Sequence, residues 1–339
     1  MPEPPVSVLL PVFNAAEFLP AAVASITAQS LTEIQIVIIN DGSTDASADI
    51  LRNCARQDSR IELHQRPNRG LVATLNEGIG LCHGEFIARM DADDISLPLR
   101  LEKQLNHMRS HPRTVVLGTA IEYLGPDGLT AVRTFPLQQS AAVTHELQRR
   151  NCISHPTVMI RKTAIQTVGG YRPQYPHAED YDLWLRLRPL GDIENLPDVH
   201  LQYRIHGNQI SAKHLWLQAL SVAAARLNIT LDQLPAVAAE ESILDTVTGW
   251  AALLIKTGQI DAACDLIADE NLFYVPTLRR QASARRHWLG ARVRWAQDRY
   301  LAAITEALQA AAGDPGLPVE LFIRFIGRRR KRWPNLPSD

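Results

Sequence analysis

The chain has 339 residues, 46% of them hydrophobic, so it can bury a sizeable core, and its length suits one large domain with an appendage or two domains. Its four cysteines (Cys54, Cys82, Cys152, Cys264) are far apart and form no CxxC pair, which argues against a disulfide framework or a cysteine-built metal site and fits a reducing cytoplasm. Net charge is only -1, yet residues 276–339 hold 13 Lys and Arg against 5 Asp and Glu, a balance of +8 that leaves -9 for residues 1–275.

Val6–Val12 reads as a strand. Glu3 and three prolines stand where a secretion signal would carry basic residues, and no apolar run approaches the roughly 18 residues of a membrane span. Leu19, Ala22, Val23 and Ile26 recur at helical spacing, and Ile34–Ile39 is a continuous apolar run suited to a strand buried on both faces. The turn Asn40–Asp45 follows, with Ser43 and Thr44 placed to cap the next helix. A short strand, Ile61–His64, leads through Pro67–Gly70 to a helix marked by Leu71, Leu75 and Ile79. Glu85–Met90 is then a strand that stops in Asp91-Ala92-Asp93-Asp94, and Pro98 suits the first turn of a helix carrying Leu101, Leu105 and Met108. This alternation predicts a wound α/β domain. From about residue 115 the spacing loosens, with strands at Val115–Leu124, Val158–Ile160 and Leu201–Ile205; beyond His214 an alanine- and leucine-rich helical pattern begins.

Asp91 and Asp93 are the sharpest chemical feature. In an extended segment side chains two apart point the same way, so both carboxylates can face a cavity at the C-terminal edge of the sheet, where such folds bind ligands. Hard oxygen ligands there suit Mg²⁺ or Mn²⁺ on a diphosphate. An isolated Asp-x-Asp is more often a solvated turn. Asp41 ends an earlier strand at the same edge and can accept from a base or ribose, although Asn-Asp-Gly alone would read as a turn. Glu179-Asp180 starts a helix, a position that the macrodipole favours for any carboxylate. His206 is a candidate ligand or base.

Taken in order, Val8–Asn14, Asn40–Asp45, Asn68-Arg69-Gly70 with Asn76, Gly84–Asp94, Glu179-Asp180 and Tyr203–His206 resemble the pattern of family 2 glycosyltransferases of the GT-A fold, over about residues 6–210. The resemblance implies a Rossmann-like, mostly parallel sheet flanked by helices over residues 1–214, with 1–125 holding the nucleotide sugar and 126–214 facing the acceptor. Residues 215–339 are expected to form a helical appendage with a basic tail. The implied activity is metal-dependent, inverting transfer of a sugar from a nucleoside diphosphate, UDP being the family's commonest carrier, to a carbohydrate or lipid-linked acceptor in surface polysaccharide or lipopolysaccharide synthesis. The resemblance places Pro11, Phe13, Asn14, Asp41 and Asp91 around the nucleotide sugar and gives Asp93 and His206 to Mg²⁺ or Mn²⁺. It makes Asp180 the base and puts His155, Gly169, Gly170 and Glu179 near the acceptor.

Rival readings fit less well. A dehydrogenase needs G-x-G-x-x-G where Pro11–Ala16 stands. A nucleotidyltransferase of similar fold would carry a glycine-rich basic loop after the first strand, and a catalytically inactive sugar-binding protein would have no need for a metal and base set that is filled here. No nucleic-acid partner is expected. In the tail, Leu321-Phe322-Ile323 and Phe325-Ile326 precede Arg328–Trp333, a pairing of apolar anchors with basic charge that suits an anionic membrane surface. The expected location is cytoplasmic and peripheral at the inner face of the membrane; a solvated basic terminus is the alternative.

Overall fold

A computed structural model describes residues 3–125, 128–134, 136–205, 214–234, 236–256, 259, 261, 263, 264, 267, 279–296 and 310. Close contacts group the chain into two units, Met1–Gly207 and Asn208–Asp339.

The first unit begins with β1 (Val6–Val12), α1 (Leu19–Thr27), β2 (Ile34–Asp41), α2 (Ser47–Gln57), β3 (Ile61–Arg66), α3 (Leu71–Leu81) and β4 (Phe86–Arg89), whose strands pair in parallel in the order β3-β2-β1-β4. Every residue of β1 and β2 is buried, as strands covered on both faces require. Alternation assigns the faces. Val8, Leu10 and Val12 join Leu19, Val23 and Ile26 of α1 and Leu51 of α2 in one core cluster, whereas Leu9 lies against Gly78 of α3 so closely that a β-carbon there would collide with it. Pro11 does not break β1. The carbonyl of Leu9 accepts from the Met90 amide on the β4 side at 3.2 Å, and residues two apart turn their backbone the same way, so the amide Pro11 lacks would fall beyond the end of β4.

Past β4 come β5 (Ile95–Ser96), α4 (Arg100–Ser110), β6 (Thr114–Gly125), β7 (Gly128–Arg133), α5 (Ser140–Leu147), a 3-10 turn (His155–Thr157), β8 (Met159–Arg161), α6 (Lys162–Thr167), α7 (Glu179–Leu187) and β9 (Asp192–Arg204). β8 is antiparallel to β4 and β6, β9 is parallel to β6, β5 is antiparallel to β9, and β7 folds back on β6. The α/β architecture is as expected; the sheet is parallel in its first half and mixed in its second. Two local expectations fail. Ser43 and Thr44 do not cap α2, which starts at Ser47, because both are drawn into the loop after β1; and Pro98 lies two residues ahead of α4.

The second unit contains α8 (Leu215–Leu227), α9 (Ala236–Lys256) and α10 (Arg279–Ala296), packed through Ala219, Ile243, Val247, Ala251, Ala282 and Leu289. Among the described residues no helix is long and apolar enough to cross a membrane.

Candidate active site

The C-terminal ends of the parallel strands assemble the first part of the site. Asp41, the last residue of β2, is 4% exposed, and its carboxylate is held on three sides. Oδ1 accepts from the Arg69 amide (2.8 Å) and from the Arg66 guanidinium, and Oδ2 accepts from the Gly70 amide (2.9 Å). An ionised carboxylate offers about four lone pairs, so Oδ2 keeps capacity for one further donor. Beside it the loop after β1 is stapled down. Asn14, with a left-handed φ of 48°, donates its amide to Ser43 Oγ (3.0 Å) and accepts the Thr44 amide on Oδ1 (2.8 Å). Phe13 is left 52% exposed at this edge, while Pro11 is buried within β1.

The second part is the acidic turn. β4 ends at Arg89, and a turn rather than an extended strand brings the carboxylates together. This corrects the expected geometry and adds a member: oxygens of Asp91, Asp93 and Asp94 lie within 4.8 Å of one another. Asp91 is gripped by both ends of the buried Arg89 guanidinium, one bond measuring 2.6 Å. Asp94 is 1% exposed; its Oδ1 accepts the Arg204 amide (2.9 Å), and its Oδ2 is buried without a hydrogen-bond partner. Arg204, at the end of β9, also donates Nε to the Asp93 carbonyl (2.8 Å) and lies over the Phe18 ring, tying that strand end to the turn. His206 follows two residues later and lies outside the described residues.

The third part is the N-terminus of α7, where Glu179, Asp180 and Asp182 occupy the first turn and the charge of Asp180 is felt by Asp91. Asp180 accepts from Asn151 Nδ2 (2.8 Å) and from the Tyr181 amide (2.7 Å). Asp182 points away from it into a buried pairing with Arg172 and Arg186. His155 is 9% exposed, hydrogen bonded to Tyr171 Oη (2.8 Å) and set edge-on to Trp184. Gly169 and Gly170 both have left-handed φ (75° and 72°), and a side chain at Gly170 would strike Asn76, whose amide binds both backbone groups of Tyr171.

Residues 7–169 match the model of Glycosyl transferase family 2. The chain is also 33% identical over 233 residues to the amylovoran biosynthesis glycosyltransferase AmsE of Erwinia amylovora, covering 67% of this chain and 86% of that one. This chain belongs to glycosyltransferase family 2. Two solved structures resemble the transferase in fold. Residues 1–349 of S. aureus TarS with UDP-GlcNAc align over 91% of each chain at a TM-score of 0.54 and 16% identity. The mannosyltransferase PcManGT of Pyrobaculum calidifontis with GDP-Man and Mn²⁺ aligns over 97% of this chain and 81% of that one, at 0.51 and 15%. The fold of the transferase is accordingly GT-A, with helices appended at its C-terminal end.

The electrostatics of the transferase centre on Arg89. Burial pushes Asp91 up and the Arg89 charge opposes it, while Asp94 stands well above the usual carboxylate range through burial and the charges of Asp93 and Asp91. Burial raises Asp180, partly offset by the Asn151 hydrogen bond, and carries Glu179 up to about 7 with help from the Asp180 charge. His155 is held well below its ordinary value by burial and by Arg89, so it is neutral. Sequence reasoning missed Arg66, Arg89, Asp94 as a cluster member, Asn151 and Tyr171. Arg89 could have been flagged as a cation in an otherwise apolar strand, two residues before Asp91; Asn151, in an irregular loop, gives no such signal.

Proposed function

We propose that this transferase is inverting and dependent on Mg²⁺ or Mn²⁺, and that it moves a sugar from a UDP-linked donor to a hydroxyl of a carbohydrate or lipid-linked acceptor in surface polysaccharide or lipopolysaccharide synthesis. One observation carries the metal reading: Asp94 has a buried carboxylate oxygen, Oδ2, without a hydrogen-bond partner, and its carboxylate lies within 4.8 Å of those of Asp91 and Asp93. Burying such an oxygen unpaired is costly, and the clustered hard oxygens of Asp93 and Asp94 fit a divalent cation. Asp93 and Asp94, joined by His206, would hold it; when bound, the ion neutralises charge developing on the leaving diphosphate. The fold neighbour bound to Mn²⁺ supports this reading.

The chain's own residues take the remaining roles. Asp41 accepts a base N–H on the free lone pair of Oδ2, and the exposed ring of Phe13, beside Asn14 and Pro11, offers a stacking face. Asp91, its carboxylate fixed by Arg89, accepts from the ribose. Asp180, on the acceptor side, takes the proton of the attacking hydroxyl; Glu179, Gly169, Gly170 and His155 shape that side. One base acting on a hydroxyl that attacks opposite the diphosphate gives inversion, and such proton transfer typically contributes about 10²- to 10⁴-fold. The UDP preference draws on the neighbour solved with UDP-GlcNAc, and the surface-polysaccharide setting on the relative named for amylovoran biosynthesis. We place the transferase peripherally at the cytoplasmic face of the membrane; the basic tail, residues 321–339, which lies outside the described residues, supports that setting.

Asp180→Asn tests the base: turnover should fall about 10²-fold or more with nucleotide and Mn²⁺ binding retained. Normal turnover in Asp180→Asn alongside loss in Glu179→Gln would move the base by one residue. A product with the donor's anomeric configuration would exclude inversion.

A further inference from the structure

The carboxylate of Asp180 is not held by α7 alone. The end of α5 and the segment after it are tied to α7 by two bonds: Tyr181 Oη donates to the Leu147 carbonyl (2.6 Å), and Asn151 Nδ2 donates to Asp180 Oδ2 (2.8 Å). The Asn151 amide has one consistent orientation. Its Oδ1 accepts the Ile153 amide (3.2 Å), so the opposite flip would set an oxygen against a carboxylate oxygen and an NH₂ against an N–H. With the Tyr181 amide on Oδ1, Asn151 on Oδ2 and a further bond from the backbone amide of Asp180 itself, three of the carboxylate's four lone pairs are engaged and one is kept.

We propose that Asn151 is a positioning residue for the transfer reaction, fixing the plane of the Asp180 carboxylate so that a free oxygen lone pair meets the acceptor hydroxyl. The inference rests on Asp180 as the base. A carboxylate at a helix start anchored only by its neighbouring backbone amide can still rotate about its terminal torsion, which is broad and roughly two-fold; a second donor from another segment removes that freedom. It is the logic of a base oriented by a third group. Asn151 touches no reacting atom, and its contribution is confined to the base.

Asn151→Asp separates positioning from packing. Aspartate keeps the shape and the acceptor that receives the Ile153 amide but turns the donor to Asp180 into a second carboxylate. Asn151→Ala, which removes the donor without adding charge, separates lost positioning from like-charge repulsion: it should also lower kcat, without the shift of the acid limb. The expected result for Asn151→Asp is a kcat lower by about 10²-fold with donor KM within about twofold of normal, since the lost interaction belongs to the transition state. Like-charge proximity should also shift the acid limb of the kcat profile to higher pH. The groups facing Asp180 in that profile are Glu179 on its own helix, Arg89, Asp91 and Tyr171. Asn151→Gln, which retains a donor amide, should recover part of the loss. In an Asp180→Asn background, Asn151→Asp should cost nothing further. Wild-type kcat and pH profile in Asn151→Asp, with Asp180→Asn inactive, would overturn the inference while leaving the base in place; an active Asp180→Asn would overturn the base itself.

Discussion

Glu179→Gln should stabilise the metal-free protein at neutral pH and hardly at all in acid. Glu179 is 8% exposed, and burial together with the Asp180 charge raises its carboxyl from 4.5 to about 7. For a group whose folded pKa is raised, the contribution to stability is fully present below the unfolded value, near 4.5, and is lost as pH climbs through about 7. At 1.36 kcal/mol per pKa unit the whole difference is about 3 kcal/mol, and most of it is lost between pH 5 and 8. Glutamine keeps the volume and cannot ionise, so the variant escapes the loss. Urea unfolding in EDTA, run on both proteins at pH 5 and pH 8, reads the effect. The variant's advantage should be under about 1 kcal/mol at pH 5 and about 2–3 kcal/mol at pH 8. An equal difference at both pH values, or a variant less stable than wild type at pH 8, would refute the reasoning.

Asp94→Asn should weaken Mn²⁺ binding at least about tenfold by calorimetry, without lowering the melting temperature of the metal-free protein, because it removes a buried charge while the Arg204 amide keeps an acceptor. Asp41→Asn takes one of two carboxylates, the other being Glu77, from the Arg66 guanidinium and sets an NH₂ against the Gly70 amide, so it should cost about 1–3 kcal/mol in urea unfolding and abolish measurable donor binding. Removing residues 321–339 should leave Met1–Gly207 folded by circular dichroism and reduce binding to anionic vesicles; equal binding by both forms at low salt would remove the membrane role.

The parallel half of the fold was legible because its signals are local. Val6–Val12 and the apolar run Ile34–Ile39 mark β1 and β2 to within two residues, and residues at 3.6-residue spacing mark α1, α3 and α4. In the mixed half the strands were legible but their pairing was not: β8, β6 and β9 pair across long sequence separations, and no local pattern encodes that a strand at residues 159–161 lies between β4 and β6. Within the site, individual carboxylates could be read from strand ends and a helix start, but their partners could not. Arg66 reaches Asp41 from the next strand, Asn151 reaches Asp180 over 29 positions, and Ser43 and Thr44, which read as helix caps, bind the loop of Asn14 instead. In each case tertiary contact overrode the local preference. Period-two spacing selects Asp91 and Asp93, whereas the chain turns there and admits the third carboxylate, Asp94.

The most direct measurement is release of nucleoside diphosphate by the full chain from a panel of UDP-, GDP-, ADP- and dTDP-sugars, with Mn²⁺ and then with EDTA. The assignment predicts release from at least one UDP-sugar that requires the metal and is lost in Asp93→Asn. Release that is unchanged by EDTA and by Asp93→Asn, or no release from any sugar nucleotide with either Mg²⁺ or Mn²⁺, would contradict it.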